Sequence, residues 1–351
     1  MPTLVFATAA VEAPGGAQGY EEAVAARAAG ALAAIGGDWE VRRLVARSIR
    51  SPLSGTHRLP LGRLARAGSG IRSRTGRLLY PRGALVHRTS LELPPAPLEV
   101  VTLHDLVAWD WPDESPPVRA AVAELTRAAA VVCVSAHTAG LAVDRFGLRD
   151  PVVVPNGLDR AFLDATPLGA QDLARWGLRA PFVLHLGGVS ARKNLAALAE
   201  GWGLLAPDHP DVSLALAGTP HPRRHELFAG MPRTHLLGRV PDPDLPGLVA
   251  AASVVVVPSL DEGFGLPALE AMATGTLVVA ARAGALPEVV GRDGILVDPT
   301  GPGVAEGLGW ALSGDSSLAR LTAAARTRAA GYTWERTAAG HAAVWAAVAG
   351  G

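Results

Sequence analysis

The chain has 351 residues, 49% of them hydrophobic and 18% charged. That balance excludes global disorder, and the length suits two domain cores. Its 32 basic and 32 acidic residues leave a formal net charge of zero, so the overall charge does not recommend nucleic acid as a partner. The single cysteine, Cys133, excludes an internal disulfide framework and fits a reducing, cytoplasmic compartment.

The N-terminus has no basic segment ahead of an apolar run, so Leu4–Thr8 reads as a first strand and not as a secretory leader. Gly15-Gly16 follows, and a helix is predicted over Tyr20–Ile35. Paired glycines there let backbone approach a phosphate or sugar. They do not form the G-x-G-x-x-G fingerprint, which disfavours a dinucleotide-dependent oxidoreductase. From Val41 to Leu91 the chain carries twelve arginines and no aspartate or glutamate. This basic stretch, 41–91, reads as an insertion. It is either a solvated surface or a patch, over Arg42–Arg88, that attracts anionic lipid or a polyanionic acceptor. Further strands are expected at Val100–Leu103, Val131–Val134 and Val152–Val154, with helices over Val118–Ala130 and His137–Phe146.

The segment Asp159–Ala180 is mixed in pattern and is the linker candidate. Beyond it, short strands are predicted at Phe182–Leu186, Ser213–Ala217, His235–Leu237, Ser253–Val257, Leu277–Ala280 and Ile295–Val297, with a final helix over Thr333–Val348. Alternation of this kind gives an α/β class with parallel sheets in two Rossmann-like domains, 1–165 and 166–331, facing a cleft. Apolar-rich runs such as Leu245–Leu260 fall short of the roughly 18 residues of a spanning helix.

Two junctions in the second half carry chemistry. The apolar run Val254–Val257 leads into Glu262-Gly263-Phe264-Gly265-Leu266-Pro267-Ala268-Leu269-Glu270. Strand, glycine loop and helix start offer backbone N–H groups and a positive dipole end to an anion. Carboxylates at both ends suit a ligand that also carries hydroxyls, as a nucleotide-sugar does. The second junction follows Phe182–Leu186, where Gly187-Gly188 precedes Arg192-Lys193-Asn194. Two cations at a helix start meet a diphosphate, and Lys193 is the only lysine in the chain. In the first half, His104-Asp105 follows a strand end, where a histidine can bond a sugar hydroxyl or stabilise developing charge. The plainer alternative is a strand-end histidine capped by its neighbour. Asp242-Pro243-Asp244 reads as helix N-capping and not as a metal motif.

Together these segments resemble retaining GT-B glycosyltransferases of the family-4 type, also called glycosyl transferases group 1. Glu262-x7-Glu270 resembles the family's E-x7-E motif, and Arg192-Lys193 its paired basic residues for the donor diphosphate. His104-Asp105, Val134-Ser135 and Val154-Pro155-Asn156-Gly157-Leu158-Asp159 are similar to recurring family segments. Gly238-Arg239-Val240 resembles the turn that meets the nucleotide base. Thr333-Trp334-Glu335-Arg336-Thr337 resembles the start of the last helix, 332–351, which in such proteins packs back toward the N-terminal domain. The entry loop Gly15-Gly16-Ala17-Gln18-Gly19-Tyr20 departs from the simpler family pattern.

The resemblance implies a hexosyltransferase that takes a nucleotide-diphosphate sugar and retains configuration. Arg192 and Lys193 are expected to neutralise the leaving diphosphate, helped by backbone near Gly265 and Leu266. Glu262 is expected at the sugar, Glu270 at the ribose, and His104 near the sugar and acceptor. Gly15, Gly16, Asp105, Asn156, Gly187, Gly188, Gly238, Val240, Gly263 and Phe264 complete the expected binding set. Because two cations take the place of a metal, neither a metal nor a cofactor is expected. GDP-mannose is the favoured donor, with UDP-sugars next. The acceptor is a glycan, glycolipid or lipid-linked molecule, with a place on the inner face of the cell membrane. An epimerase or hydrolase on the same fold, or a catalytically silent binding protein, are the competing functions.

Overall fold

The computed structural model describes residues 1–11 and 16–350. The chain divides into two compact units, Met1–Gly157 with Thr333–Gly351, and Leu158–Tyr332. The first unit is a seven-stranded parallel sheet. Its strands are β1 (Thr3–Ala9), β2 (Glu40–Ser48), β3 (His57–Leu59), β4 (Leu85–Arg88), β5 (Glu99–Leu103), β6 (Ala130–Cys133) and β7 (Val152–Val153). Their order is β3-β2-β1-β4-β5-β6-β7. The chain starts in the middle, winds outward through β2 and β3, then crosses to the other side of β1 at β4. Strands β4 and β5 are buried along their whole length, as expected of parallel strands covered on both faces.

The basic stretch is not an insertion. It contributes β2, β3 and β4 together with the helices Leu61–Arg66 and Ser69–Leu79. Adjacent charges at Arg42-Arg43 hide the alternation of β2, and the arginines themselves divide between surface and core. Arg72 and Arg88 are fully buried with Glu124 and Glu99. The Arg72 guanidinium donates to Glu124 at 2.5 Å and to the Leu93 carbonyl at 2.6 Å. Arg88 donates to the other Glu124 oxygen at 2.9 Å and to Glu99 at 3.1 Å. Two cations and two carboxylates thus cancel inside the unit, with backbone carbonyls taking the spare donors.

The helix expected over Val118–Ala130 is only Ala121–Leu125, and β6 begins at Ala130. An alanine-rich run carries no periodic signal to mark the change. The C-terminal helix Trp334–Gly350 belongs to the first unit, where Ala342 and Trp345 join the core around Phe6, Tyr20 and Leu32. Burial pushes the Cys133 thiol up to about 12, which keeps it an unreactive core group.

The second unit is a six-stranded parallel sheet in the order β10-β9-β8-β11-β12-β13. These strands are β8 (Phe182–Leu186), β9 (Ser213–Ala217), β10 (Thr234–Gly238), β11 (Val254–Val257), β12 (Leu277–Ala281) and β13 (Ile295–Val297). The winding repeats that of the first sheet, with β8 in the middle and the crossover at β11. The unit begins at Leu158, ahead of the boundary at 165/166 read from sequence, and the segment read as a linker folds onto it. Asp159 caps the helix Arg160–Leu163, Phe162 is buried, and the Leu168 amide bonds the Gly247 carbonyl at 3.0 Å. Among the described residues no helix is long and apolar enough to cross a membrane.

Glu124→Gln removes the carboxylate that pairs with Arg72 and leaves Arg88 with Glu99 as its charged partner. Breaking a buried pair this way costs about 3–5 kcal/mol. Denaturant unfolding should show a clear fall in the midpoint, and an unchanged midpoint would contradict the role given to this group.

Candidate functional site

In a doubly wound sheet, ligands bind beyond the carboxyl ends of the strands where the winding reverses. In the second unit that point lies between β8 and β11, which are direct neighbours. The two segments singled out in the sequence are the loops that leave these two strands.

After β8 the chain turns through Gly187-Gly188 and forms a short 3-10 turn, Ala191–Lys193. Asn194 is left-handed, with φ 53°. Its side-chain amide donates to the carbonyls of Pro258 at 3.1 Å and Pro299 at 2.9 Å. The Leu260 amide donates to the Arg192 carbonyl at 2.7 Å. These bonds stitch the β8 loop to the loops that follow β11 and β13 and fix where Arg192 and Lys193 point.

Glu262 is 6% exposed and joins the two loops through its carboxylate. It accepts from Lys193 Nζ at 2.7 Å, from Ser259 Oγ at 2.8 Å and from Arg192 Nη1 at 3.4 Å. The sequence reading puts Arg192 and Lys193 at a diphosphate and Glu262 at a sugar; in the fold the Glu262 carboxylate bonds both cations directly. Its backbone is gripped as well, since the Ala285 amide donates to the Glu262 carbonyl at 3.0 Å. A Cβ at Gly284 would lie 2.6 Å from the Glu262 nitrogen.

Gly265 precedes the helix Leu266–Thr274 with φ 101°, a left-handed conformation that favours glycine. A side chain there would also press on Leu286, 2.8 Å from the ideal Cβ position. Pro267 sits in the first turn, where its missing N–H loses no bond. The Gly265 and Leu266 amides donate to nothing among the described residues, so the helix start keeps open donors. Phe264 is buried edge-on to Tyr332 at 5.8 Å, so this ring anchors the loop. Gly263 lies between Glu262 and that anchor.

Glu270 lies further along the same helix and is half-buried. Burial, with the Asp159 carboxylate adding to it, pushes its carboxyl up to about 7. Gly238 ends β10 and lines a cavity of about 500 Å³ with Gly218, Pro220, Arg224 and Leu236; Val240 is buried just beyond it.

The remaining expected residues lie in the first unit. Gly15 falls outside the described residues, and Gly16 opens the helix Gly16–Ala34. His104 follows β5 with its ring edge-on to Tyr20 at 4.8 Å. Its Nε2 is buried without a partner among the described residues. Burial lowers its pKa to about 4, so the ring is neutral near pH 7. Tyr20 shares its hydroxyl with Thr102 at 2.8 Å and His341 at 2.7 Å, which fixes the surface His104 packs on. Asp105 accepts from the Val107 amide at 3.3 Å. Asn156 is buried, with its Oδ1 unpartnered among the described residues.

Asp244 occupies the N-cap position before Leu245–Ala251, yet its side chain makes no cap bond; it lies 3.7 Å from Arg175 instead. Among the described residues no group of three His, Cys, Asp or Glu side chains is arranged to hold a metal ion. Sequence reasoning missed Ser259, Arg224 and the bridging role of Asn194. Only the left-handed conformation that asparagine tolerates gave a signal for the last of these.

Two doubly wound units, with basic residues and a buried glutamate at the switch point of the second, define a GT-B type fold. Residues 180–313 match the family described as Glycosyl transferases group 1. The chain is 35% identical over 162 residues to O-antigen chain mannosyltransferase B of Escherichia coli, covering 44% of this chain and 42% of that one. It is 44% identical over 116 residues to MMP alpha-(1->4)-mannosyltransferase of Mycolicibacterium hassiacum, covering 32% and 28%. The matched stretch thus spans less than half the length of these two relatives. Among solved structures it resembles HepE of Anabaena in complex with UDP and glucose, with a TM-score of 0.74 at 20% identity over 99% of this chain and 100% of that one. It also resembles sucrose-phosphate synthase of Thermosynechococcus elongatus, with a TM-score of 0.73 at 24% identity over 97% and 98%.

The raised Glu270 pKa has a definite sign. The folded protein keeps this proton up to about pH 7, while the unfolded chain releases it near 4.5. Stability from this group is therefore present below about 4.5 and lost as pH rises to about 7. Glu270→Gln removes that loss, so its melting temperature should exceed wild type at pH 8 but not at pH 4.5. An equal shift at both would contradict the assignment.

Proposed function

We propose that the chain is a retaining glycosyltransferase that moves a hexose from a nucleotide-diphosphate sugar to a glycan, glycolipid or lipid-linked acceptor. The observation that carries this is the Arg192–Lys193–Glu262 group at the β8/β11 switch point, beside the open amides of Gly265 and Leu266. A leaving diphosphate gains charge as its bond to the anomeric carbon breaks, and fixed cations stabilise that charge most when it is greatest. The acceptor oxygen bonds the anomeric carbon on the face the phosphate leaves, and its proton passes to a departing phosphate oxygen. Glu262 holds the cations and meets the donor sugar, Glu270 takes the ribose hydroxyls, and His104, neutral, takes a sugar or acceptor hydroxyl. Gly238 and Val240 sit at the base.

GDP-mannose is the favoured donor, and the two mannosyltransferase relatives support mannose as its sugar. A UDP-sugar is the second choice, supported by the likeness to a protein solved with UDP and glucose. The O-antigen relative supports a role in cell-envelope polysaccharide synthesis. Arg192→Ala or Lys193→Ala should lower kcat by about 10²-fold or more, measured by release of the nucleoside diphosphate with a panel of donors. Near-wild-type turnover would sink the assignment. Product release without any acceptor would favour the hydrolase alternative.

The protein's place is proposed to be the inner face of an anionic membrane, held there by part of the basic stretch. Arg72 and Arg88 are spent in the core, and Arg42 and Arg43 pair with Glu40 and Glu22. The helix Ser69–Leu79 is the better candidate. It buries Arg72 yet leaves Ile71 62% and Leu78 89% exposed, one heptad apart, with Arg74 and Arg77 exposed beside them. Apolar side chains flanked by arginines fit an anionic lipid surface. Each arginine contributes about 1 kcal/mol there, so Arg74→Gln with Arg77→Gln should weaken binding to phosphatidylglycerol vesicles by roughly thirtyfold. Ile71→Glu with Leu78→Glu should weaken it further. Vesicle binding indifferent to all four changes would remove this part of the proposal.

A further inference from the structure

Arg224 stands in the helix Pro222–Phe228 and belongs to neither of the two sequence motifs that form the site. Its side chain is only 2% exposed, yet no carboxylate pairs with it among the described residues. Its donors go to backbone carbonyls instead. Nη2 donates to Gly187 at 2.5 Å and Gly188 at 3.3 Å, and Nη1 to Thr219 at 3.0 Å. The neighbouring Arg223 donates to the next carbonyl, that of Val189, at 3.2 Å. A buried guanidinium without a counter-charge is costly, so such an arrangement calls for a purpose beyond packing.

Peptide planarity supplies it. In a trans peptide the C=O and the following N–H point in opposite directions. Three successive carbonyls drawn toward two guanidinium groups therefore turn the N–H groups of Gly188, Val189 and Ser190 the other way. None of these three amides donates to any group among the described residues. The Lys193 side chain runs past the same turn, with its Cδ 3.9 Å from an ideal Cβ on Gly187. Successive outward amides form an anion-binding concavity, here next to the two site cations. The sequence leaves room for the clamp: a Cβ at Gly218 would collide with the Gly187 carbonyl oxygen and with the guanidinium of Arg224.

We infer that Arg224 is a positioning residue for the donor diphosphate: by holding the carbonyls of Gly187 and Gly188 it aims the amides of Gly188 and Val189 at the phosphates and adds an unneutralised positive charge behind them. This rests on the donor-site assignment proposed above. It predicts selectivity by charge. Arg224 also lines the cavity at Gly238, but its bonded donors go to the carbonyls of Gly187, Gly188 and Thr219, so its loss weakens nucleoside diphosphate far more than nucleoside.

The test is calorimetric titration of the full chain with UDP, GDP, uridine and guanosine, alongside steady-state kinetics. Arg224→Met should weaken whichever diphosphate the wild type binds by about tenfold or more, with a much smaller change in nucleoside affinity, and should lower kcat as well as raise the donor KM. Arg224→Lys, which keeps the charge, should recover part of the loss. Should Arg224→Met not fold, Gly188 offers a second route, because a Cβ there meets nothing within 4 Å. Gly188→Pro deletes one of the aimed N–H groups and should lose diphosphate affinity, while Gly188→Ala keeps the N–H and should retain it. A folded Arg224→Met that binds diphosphate as wild type does, a parallel loss of nucleoside, or equal affinities for the two Gly188 variants would overturn the inference. Wild type that binds neither UDP nor GDP would instead overturn the donor-site assignment, and this inference with it.

Discussion

The carboxylate of Glu262 is the tie on which the second unit's site depends. Strands β8 and β11 lie side by side in space but far apart in sequence, and each ends in a loop with little regular structure of its own. Glu262 bonds Lys193 and Arg192 from one loop and Ser259 from the other. Two cations brought together without it would repel each other and splay the loops. With it they stay half-buried, close to the open helix start at Gly265. The arrangement stores positive charge at the proposed anion site while keeping the two loops together.

The first unit solves a related problem without a ligand. Its arginine-rich stretch would be a poor core if every guanidinium had to reach water. Arg72 and Arg88 go inside because Glu124 and Glu99 meet them there and because loop carbonyls accept the remaining donors. Arg224 shows the contrasting case. It is nearly as buried as these two, yet it bonds only carbonyls. A neutralised pair serves cohesion, whereas an unneutralised cation next to a proposed phosphate site keeps its field. Compositionally the three arginines are indistinguishable, and the difference lies in what the fold sets opposite each one.

Much of the second unit is legible from residue order alone. Its strands are short, largely apolar and bounded by glycine or proline, so period and punctuation agree, and Val254–Val257 appears as a strand where the apolar run places it. The first unit is harder to read. In β2 the core positions Leu44 and Ala46 alternate, but Arg42 and Arg43 interrupt the pattern. In β4, His87 and Arg88 are polar by type though fully buried. Alanine runs near residue 120 give neither period nor boundary. Hydrophobic patterning fails where a core is built from paired charges, because it counts each charge as surface.

The sequence by itself determined the α/β class, the two glycine–basic and glycine–acidic junctions, and the identity of the residues at them. These are local properties: strand periods, turn residues and helix starts depend on a few neighbours along the chain. Only the tertiary structure decided which charges meet. That Glu262 clasps Lys193, that Asn194 bridges two loops, that Arg72 and Arg88 face inward and that Arg224 turns the Gly187-Gly188 carbonyls all depend on contacts between segments dozens of residues apart. Such contacts follow from strand order in the sheet, and a charge carries no mark in the sequence of the partner that strand order will bring to it.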